Sequence, residues 1–142
     1  MALVHNGIIE NFKDLKAELV DRGANFASET DTEVVVHLIS QYLQNGLNPV
    51  AAAETTLKRL EGAFALAVIF SGEHNLMVGA RRGSPLVIGY GNEEMFLGSD
   101  AIALAPWTNR ICYLDEGDWV IVRRDGAEIH DTSGEVVERD IK

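Results

Sequence analysis

The stretch Ala-Phe-Ala-Leu-Ala-Val-Ile-Phe at residues 63–70 divides the sequence into two kinds of pattern. It is the longest apolar run in the chain, and its length is that of a buried β-strand. Before it, apolar residues recur at the spacing of amphipathic helices, and after it short apolar runs alternate with turn residues. Helices followed by a strand meander predict an α+β fold in which helices pack on an antiparallel sheet.

The half of the chain that begins with this stretch predicts six short strands joined by tight turns. Each turn holds a cluster of Gly, Asp, Asn, Ser, Arg or Pro, and connections this short favour antiparallel pairing. A brief helix at residues 101–104, capped by Ser99 and Asp100, precedes the fifth strand. The predicted strands cover residues 63–70, 76–80, 86–90, 95–98, 110–114 and 119–123.

The half of the chain before residue 63 predicts three helices. The first covers residues 11–22, stops at Gly23 and places Phe12, Leu15, Leu19 and Val20 on its apolar face. The second begins at a capping-box pattern, Thr30 followed three residues later by Glu33. The third begins at Asn48-Pro49, a cap residue followed by proline at the first helical position.

Residues 3–5 resemble the end of a buried strand whose beginning is missing. We therefore expect residues 1–142 to form one partial domain that lacks its first strands. The net charge is −10, and the closest basic residues are the pairs Arg81-Arg82 and Arg123-Arg124, each beside a turn. For Arg81-Arg82 we expect solvated arginines, although the pair could also touch an anion. This distribution argues against nucleic acid or an anionic membrane as a partner. A single cysteine fits a reducing cytoplasm.

Asn6-Gly7 is the first candidate for chemistry. An Asn-Gly pair beside apolar residues is above all a turn signal, because both residues tolerate positive φ. The functional alternative is an oxyanion hole, in which the Asn6 amide and the Gly7 N–H stabilise a tetrahedral intermediate. The residues alone leave both interpretations open.

Asp31 is the second candidate. In the first turn of a helix, a carboxylate is stabilised by the positive end of the helix dipole. The same carboxylate could bind a substrate ammonium group, and the two roles are compatible. Elsewhere, Cys112 lies in an apolar strand and is expected to be inert, and the four histidines show no metal-ligand spacing.

Three segments, in family order, resemble the N-terminal-nucleophile (class II) glutamine amidotransferases. They are Val-His-Asn-Gly-Ile-Ile-Glu-Asn at 4–11, Ser-Glu-Thr-Asp-Thr-Glu-Val at 28–34, and Gly-Ser-Pro-Leu-Val-Ile-Gly at 83–89 followed by Ser99-Asp100. Ile8-Ile9 and the closing residues 131–136 are similar to the sugar-phosphate branch, the glutamine:fructose-6-phosphate aminotransferases.

The resemblance implies an αββα sandwich and the glutaminase reaction. It assigns the oxyanion hole to the Asn6 side chain and the Gly7 N–H, and the α-amino group of L-glutamine to Asp31. It implies no metal or organic cofactor, a cytoplasmic homo-oligomer, and fructose 6-phosphate as a partner only through isomerase domains that this chain does not contain.

Two departures from the family pattern lead us to predict that the chain is inactive alone. The family uses a cysteine at its mature N-terminus, whereas this sequence begins Met1-Ala2 and its one cysteine is Cys112. The family's Thr-Arg-Trp-Ala-Thr-His-Gly segment, whose Arg binds the substrate carboxylate, has no match. The alternatives are a non-catalytic binding or scaffolding domain on the same fold, and the glutaminase domain of another amidotransferase such as amidophosphoribosyltransferase.

Overall fold

A computed structural model describes residues 1–142, except for the side chain of His74. The chain forms two compact units, which we call the helical unit (Gly7–Ala63) and the sheet unit (Met1–Asn6 and Phe64–Lys142). The elements in chain order are β1 Ala2–Ile9, α1 Phe12–Asp21, α2 Asp31–Gln44, α3 Pro49–Arg59, β2 Gly62–Phe70, β3 Glu73–Arg82, β4 Val87–Tyr90, β5 Met95–Gly98, α4 Ala101–Leu104, β6 Ile111–Tyr113, β7 Trp119–Arg123, β8 Gly126–His130 and β9 Val136–Val137.

The sheet unit is built on two sheets. One has the strand order β1-β2-β3-β7-β8-β9 and the other the order β5-β4-β6. The pairs β2–β3, β3–β7, β7–β8, β8–β9, β4–β5 and β4–β6 are all antiparallel. Buried residues from both sheets meet in one cluster: Ala65, Leu86, Ile88, Cys112, Leu114, Val120, Val122 and Ile129. The α+β class and the antiparallel pairing predicted from the sequence are confirmed.

Short helix α4 packs on the smaller sheet at two glycines. A Cβ at Gly89 or Gly98 would lie 3.0 Å from a methyl group of Leu104, so a side chain at either position would require Leu104 to shift. The Asp100 carboxylate accepts the Ala103 N–H at 2.8 Å and begins the helix, as predicted.

The helical unit consists of α1, α2 and α3, with α2 contacting both others. Each helix buries an apolar stripe, and the stripe of α1 consists of Leu15 and Leu19. The prediction that Val20 belongs to it is wrong, since Val20 is half exposed. Successive helical residues are rotated by about 100°, so the residue after Leu19 leaves the stripe.

Strand β1 corrects two expectations. Asn6-Gly7 is not a turn but lies within an eight-residue strand. A type I′ turn needs positive φ at both residues, and only Gly7 has it, at 104°. The strand is also not a buried one, because Val4 is 73% exposed. Burial alternates along its first residues, with Ala2, Val4 and Asn6 exposed and Leu3 and His5 half-buried, as in a strand with one face towards water.

The arginine pair at 81–82 is also placed differently from the prediction. Strand β3 continues through both residues, because Arg81 N–H donates to the Asp118 carbonyl at 2.9 Å. The Arg81 guanidinium donates to the Leu114 carbonyl at 2.6 Å, and that of Arg82 lies 4.9 Å from the centre of the Phe64 ring. These arginines therefore fasten the strand instead of projecting into solvent.

Candidate functional site

Asp31, the first residue of α2, is bonded to strand β1 within the helical unit. Its Oδ2 accepts the Ile9 N–H at 2.9 Å, across 22 residues of sequence. The side chain of Ile9 is fully buried, and Asp31 is half-buried. The structure thus places the predicted amine ligand next to the strand segment that carries Gly7, two residues upstream of Ile9.

Gly7 has a backbone conformation that favours glycine. Its φ of 104° lies in a region where a side chain would be strained, and the residue is exposed. A backbone N–H at such a position can be approached closely by a ligand, which is what an oxyanion hole requires.

The residues that follow Gly7, 8–11, are in contact with residues 59–62 at the end of α3. Glu10 N–H donates to the Glu61 carbonyl at 2.7 Å. The Asn11 amide donates to the Arg59 carbonyl at 2.8 Å and accepts the Glu61 N–H at 3.0 Å. A Cβ at Gly62 would lie only 2.2 Å from the Ile8 carbonyl oxygen. Asn11 therefore bridges two segments instead of capping α1 with its side chain.

The loop before Asp31 is held by Glu33. Thr30 occupies the N-cap position of α2 as predicted, but its side chain makes no capping hydrogen bond. The Glu33 carboxylate instead accepts the N–H groups of Ala27 and Ser28, each at 2.7 Å, and the Ser28 hydroxyl at 2.6 Å. These bonds, led by that of the Ser28 hydroxyl, lower the pKa of Glu33 to about 2.

His37 completes this arrangement one turn further along α2. Its Nε2 lies 3.2 Å from Glu33 Oε2, and its ring centre is 4.3 Å from that of Phe26. Neither Glu33 nor Asn11 is among the site residues predicted from the sequence. For Glu33 the capping-box spacing was a usable signal, whereas nothing local indicated the partners of Asn11.

Asn6 belongs to the sheet unit and lines a cavity there of about 190 Å³. This volume is below the roughly 300–1,000 Å³ of typical ligand pockets, so the cavity suits a small group. Asn6 and Ser99 supply its polar side chains among Val4, Ala65, Leu66, Ala67, Leu86, Leu97 and Gly98. A larger cavity of about 430 Å³ in the same unit is lined by none of the predicted site residues.

Cys112 is fully buried in the core of the sheet unit, as predicted. Burial, the main cause, raises the pKa of its thiol, so it is a poor nucleophile. Among the side chains that the structure describes, no group of three or more His, Cys, Asp or Glu could hold a metal ion. In the described part of the chain, none of the helices has the length and apolar character to span a bilayer.

The structure thus joins Gly7 and Asp31 through Ile9 in the helical unit. Asn6 is the residue before Gly7, and the boundary between the two units falls between them. Within the helical unit, the chain offers a carboxylate for a cation and an exposed backbone N–H for an anion.

Comparison with known proteins identifies close relatives. The chain is 62% identical, over 98% of its length, to the isomerizing glutamine–fructose-6-phosphate aminotransferase of Mesorhizobium japonicum, and 57% identical, over 99%, to that of Zymomonas mobilis. It spans 23% of the length of each of these relatives. The predicted resemblance to the sugar-phosphate branch is confirmed.

Solved structures agree on the fold. The chain superposes on the glutamine phosphoribosylpyrophosphate amidotransferase of B. subtilis with a TM-score of 0.78 and 27% identity, over 95% of this chain and 30% of that one. A structure described as the allosteric regulatory enzyme of purine biosynthesis superposes with a TM-score of 0.76 and 26% identity. The model of the glutamine amidotransferase domain matches residues 1–106. The chain therefore belongs to the glutamine amidotransferase domain family.

Proposed function

We propose that the chain forms the part of a glutaminase that binds L-glutamine and stabilises the oxyanion of its hydrolysis. The observation that carries the proposal is the hydrogen bond from Ile9 to Asp31, which connects Asp31 to the strand segment that carries Gly7. Asp31 binds the α-ammonium group of glutamine. The Asn6 amide and the Gly7 N–H donate to the oxygen on which negative charge develops.

The reaction needs a thiolate that attacks the carboxamide carbon of glutamine. Cys112 cannot reach a substrate from the core, so we propose that the thiol comes from outside these 142 residues. Attack forms a tetrahedral intermediate, which collapses by breaking the C–N bond and releasing ammonia. Water then cleaves the resulting thioester to give glutamate and to restore the thiol.

The wider setting is part of the same proposal. The names of the relatives support fructose 6-phosphate as the acceptor of the ammonia, on domains beyond this chain. We further propose a cytoplasmic setting, because the chain has one cysteine, and a homo-oligomer, which the family resemblance implies.

The test is a chimera in which this chain replaces the matching segment of the Mesorhizobium japonicum relative. We expect it to release glutamate from glutamine. We expect Asn6→Ala to lower kcat by about 100- to 1,000-fold, the usual cost of losing one oxyanion donor. The matched control is Asn92→Ala, in an exposed turn of the sheet unit, which should leave kcat unchanged.

Two results would contradict the proposal. A folded chimera that hydrolyses no glutamine would favour the second candidate, a non-catalytic binding domain, which the burial of Cys112 also supports. Equal kcat values of the Asn6→Ala and Asn92→Ala variants would show that Asn6 is not a donor of the oxyanion hole. The isolated 142-residue chain should show no hydrolysis above that of its own Asn6→Ala variant.

A further inference from the structure

The hydrogen bond between Asp31 and Ile9 joins the start of a helix to the strand segment that carries Gly7. The distance from Ile9 N to Asp31 Oδ2 is 2.9 Å, and the bond is partly buried. A charged acceptor roughly doubles the strength of such a bond. A carboxylate can accept several hydrogen bonds at once, so this contact is compatible with an ammonium ligand.

Gly7 depends on its neighbours for a fixed position. A glycine has no side chain to pack and has the greatest backbone freedom of any residue. Two residues further on, Ile9 is fixed twice, by its fully buried side chain and by the bond to Asp31. Two residues of strand span about 7 Å, so a displacement of Ile9 is transmitted directly to the Gly7 N–H.

The other end of the bond is itself rigid. Asp31 is the first residue of a 14-residue helix, and the loop before it is bonded through Ala27 and Ser28 to Glu33. The carboxylate of Asp31 therefore holds the strand against a helix start that is anchored by contacts of its own.

We propose that Asp31 is a positioning residue for the oxyanion hole as well as a ligand for glutamine. By accepting the Ile9 N–H it fixes the Gly7 N–H in the place where the oxyanion forms. This inference rests on the proposed function. It assigns two separate roles to the carboxylate of Asp31. Its charge serves the binding of glutamine, and its acceptor oxygen serves turnover.

Two substitutions separate these roles in the chimera. Asp31→Asn keeps an acceptor oxygen for Ile9 but removes the charge, so KM for glutamine should rise while kcat stays within about threefold. Asp31→Ala removes both, so kcat should also fall about 100-fold, the cost of a misplacement of roughly 1 Å. The matched control is Asp21→Ala at the exposed end of α1, which should change neither constant.

A second measurement needs no glutamine. In the 142-residue chain, amide hydrogen exchange of Ile9 should accelerate about three- to tenfold in Asp31→Ala, the value of one lost hydrogen bond. It should remain near the original rate in Asp31→Asn. A merely structural role of Asp31 would destabilise the fold globally and accelerate exchange throughout the helical unit.

The outcomes are distinguishable. An equal fall of kcat in the Asn and Ala variants, or unchanged Ile9 exchange in the Ala variant, would overturn the inference and leave the proposed function standing. A folded chimera that hydrolyses no glutamine, while Ile9 exchange responds as expected, would overturn the proposed function and the catalytic part of the inference with it.

Discussion

Glu33 shows how one carboxylate can order the loop that precedes a candidate ligand. Its oxygens accept two backbone N–H groups and the Ser28 hydroxyl. Because these donors favour the ionised form, they lower the pKa of Glu33 from 4.5 to about 2. The unfolded chain thus binds a proton at Glu33 at a higher pH than the folded chain does.

A pH dependence of stability follows at this residue. The contribution of Glu33 is fully present above pH 4.5 and is lost as the pH falls towards 2. The free energy of unfolding, measured in urea from pH 6 to pH 2, should therefore fall more steeply for the original chain than for Glu33→Gln. The neighbouring exposed Glu29→Gln should retain the steep fall. A constant difference between the original chain and Glu33→Gln at every pH would contradict this prediction.

At the scale of elements, two helix starts in the helical unit differ in their caps. The Asn48 side chain accepts the Ala51 N–H at 2.9 Å at the start of α3. Thr30, the corresponding residue of α2, makes no such bond, because Glu33 anchors that helix start instead. We therefore expect the two N-cap side chains, Asn48 and Thr30, to contribute differently to the free energy of unfolding.

We expect Asn48→Ala to lower the free energy of unfolding by about 1 kcal/mol, the usual cost of a lost cap. Thr30→Ala should change it by less than about 0.5 kcal/mol, as at other surface positions. Urea unfolding of the two variants side by side measures the difference. Equal losses would show that the Thr30 hydroxyl also caps its helix.

The local chemistry of these elements explains how much of the fold the sequence predicts. The bounds of β5, β7 and α4 agree with the prediction because turn residues and caps delimit them. Strand β8 was not predicted, because Ile129 is its only buried residue and the strand therefore shows no apolar run. Strand β1 was misread at Asn6-Gly7, because pairing with another strand outweighs a local turn preference.

The candidate site was harder to predict from the sequence than the fold was. Local physics favoured a turn at Asn6-Gly7 and a helix-start carboxylate at Asp31, and family resemblance alone assigned them a reaction. The bond between Asp31 and Ile9 spans 22 residues, so no periodicity or short motif could reveal it. The prediction that these three residues form one glutamine site stays a prediction.

For the molecule as a whole, the sheet unit contains an ion pair whose carboxylate is buried and whose guanidinium is partly exposed. Asp118 is 1% exposed, and both its oxygens accept from the Arg139 guanidinium at 2.9 Å. The same carboxylate accepts the Asp115 N–H at 2.8 Å. The hydrogen bond from Arg139 to Asp118 is the main cause that raises the pKa of Arg139. The pair ties the residues after β9 to the turn before β7.

Removing the Arg139 guanidinium should leave the buried Asp118 carboxylate with the Asp115 N–H as a donor but without its cation. We expect Arg139→Ala to lower the free energy of unfolding clearly more than Lys58→Ala does, because the Asp118 carboxylate stays buried after its partner is removed. Lys58→Ala, whose partner Glu54 is 4.0 Å away at the surface, should cost less than about 1 kcal/mol. Urea denaturation compares the two. Similar small losses would mean that Asp118 gains water when Arg139 is removed.

The contact at Gly62 limits how sequences with this fold can diverge. Its φ of 128° and the Ile8 oxygen leave no room for even a methyl group. A mutation here would push on the backbone beside Gly7 without altering any residue of the His-Asn-Gly motif. A distant sequence that retains the motif but lacks a glycine before the first long apolar strand should therefore be regarded as a doubtful glutaminase.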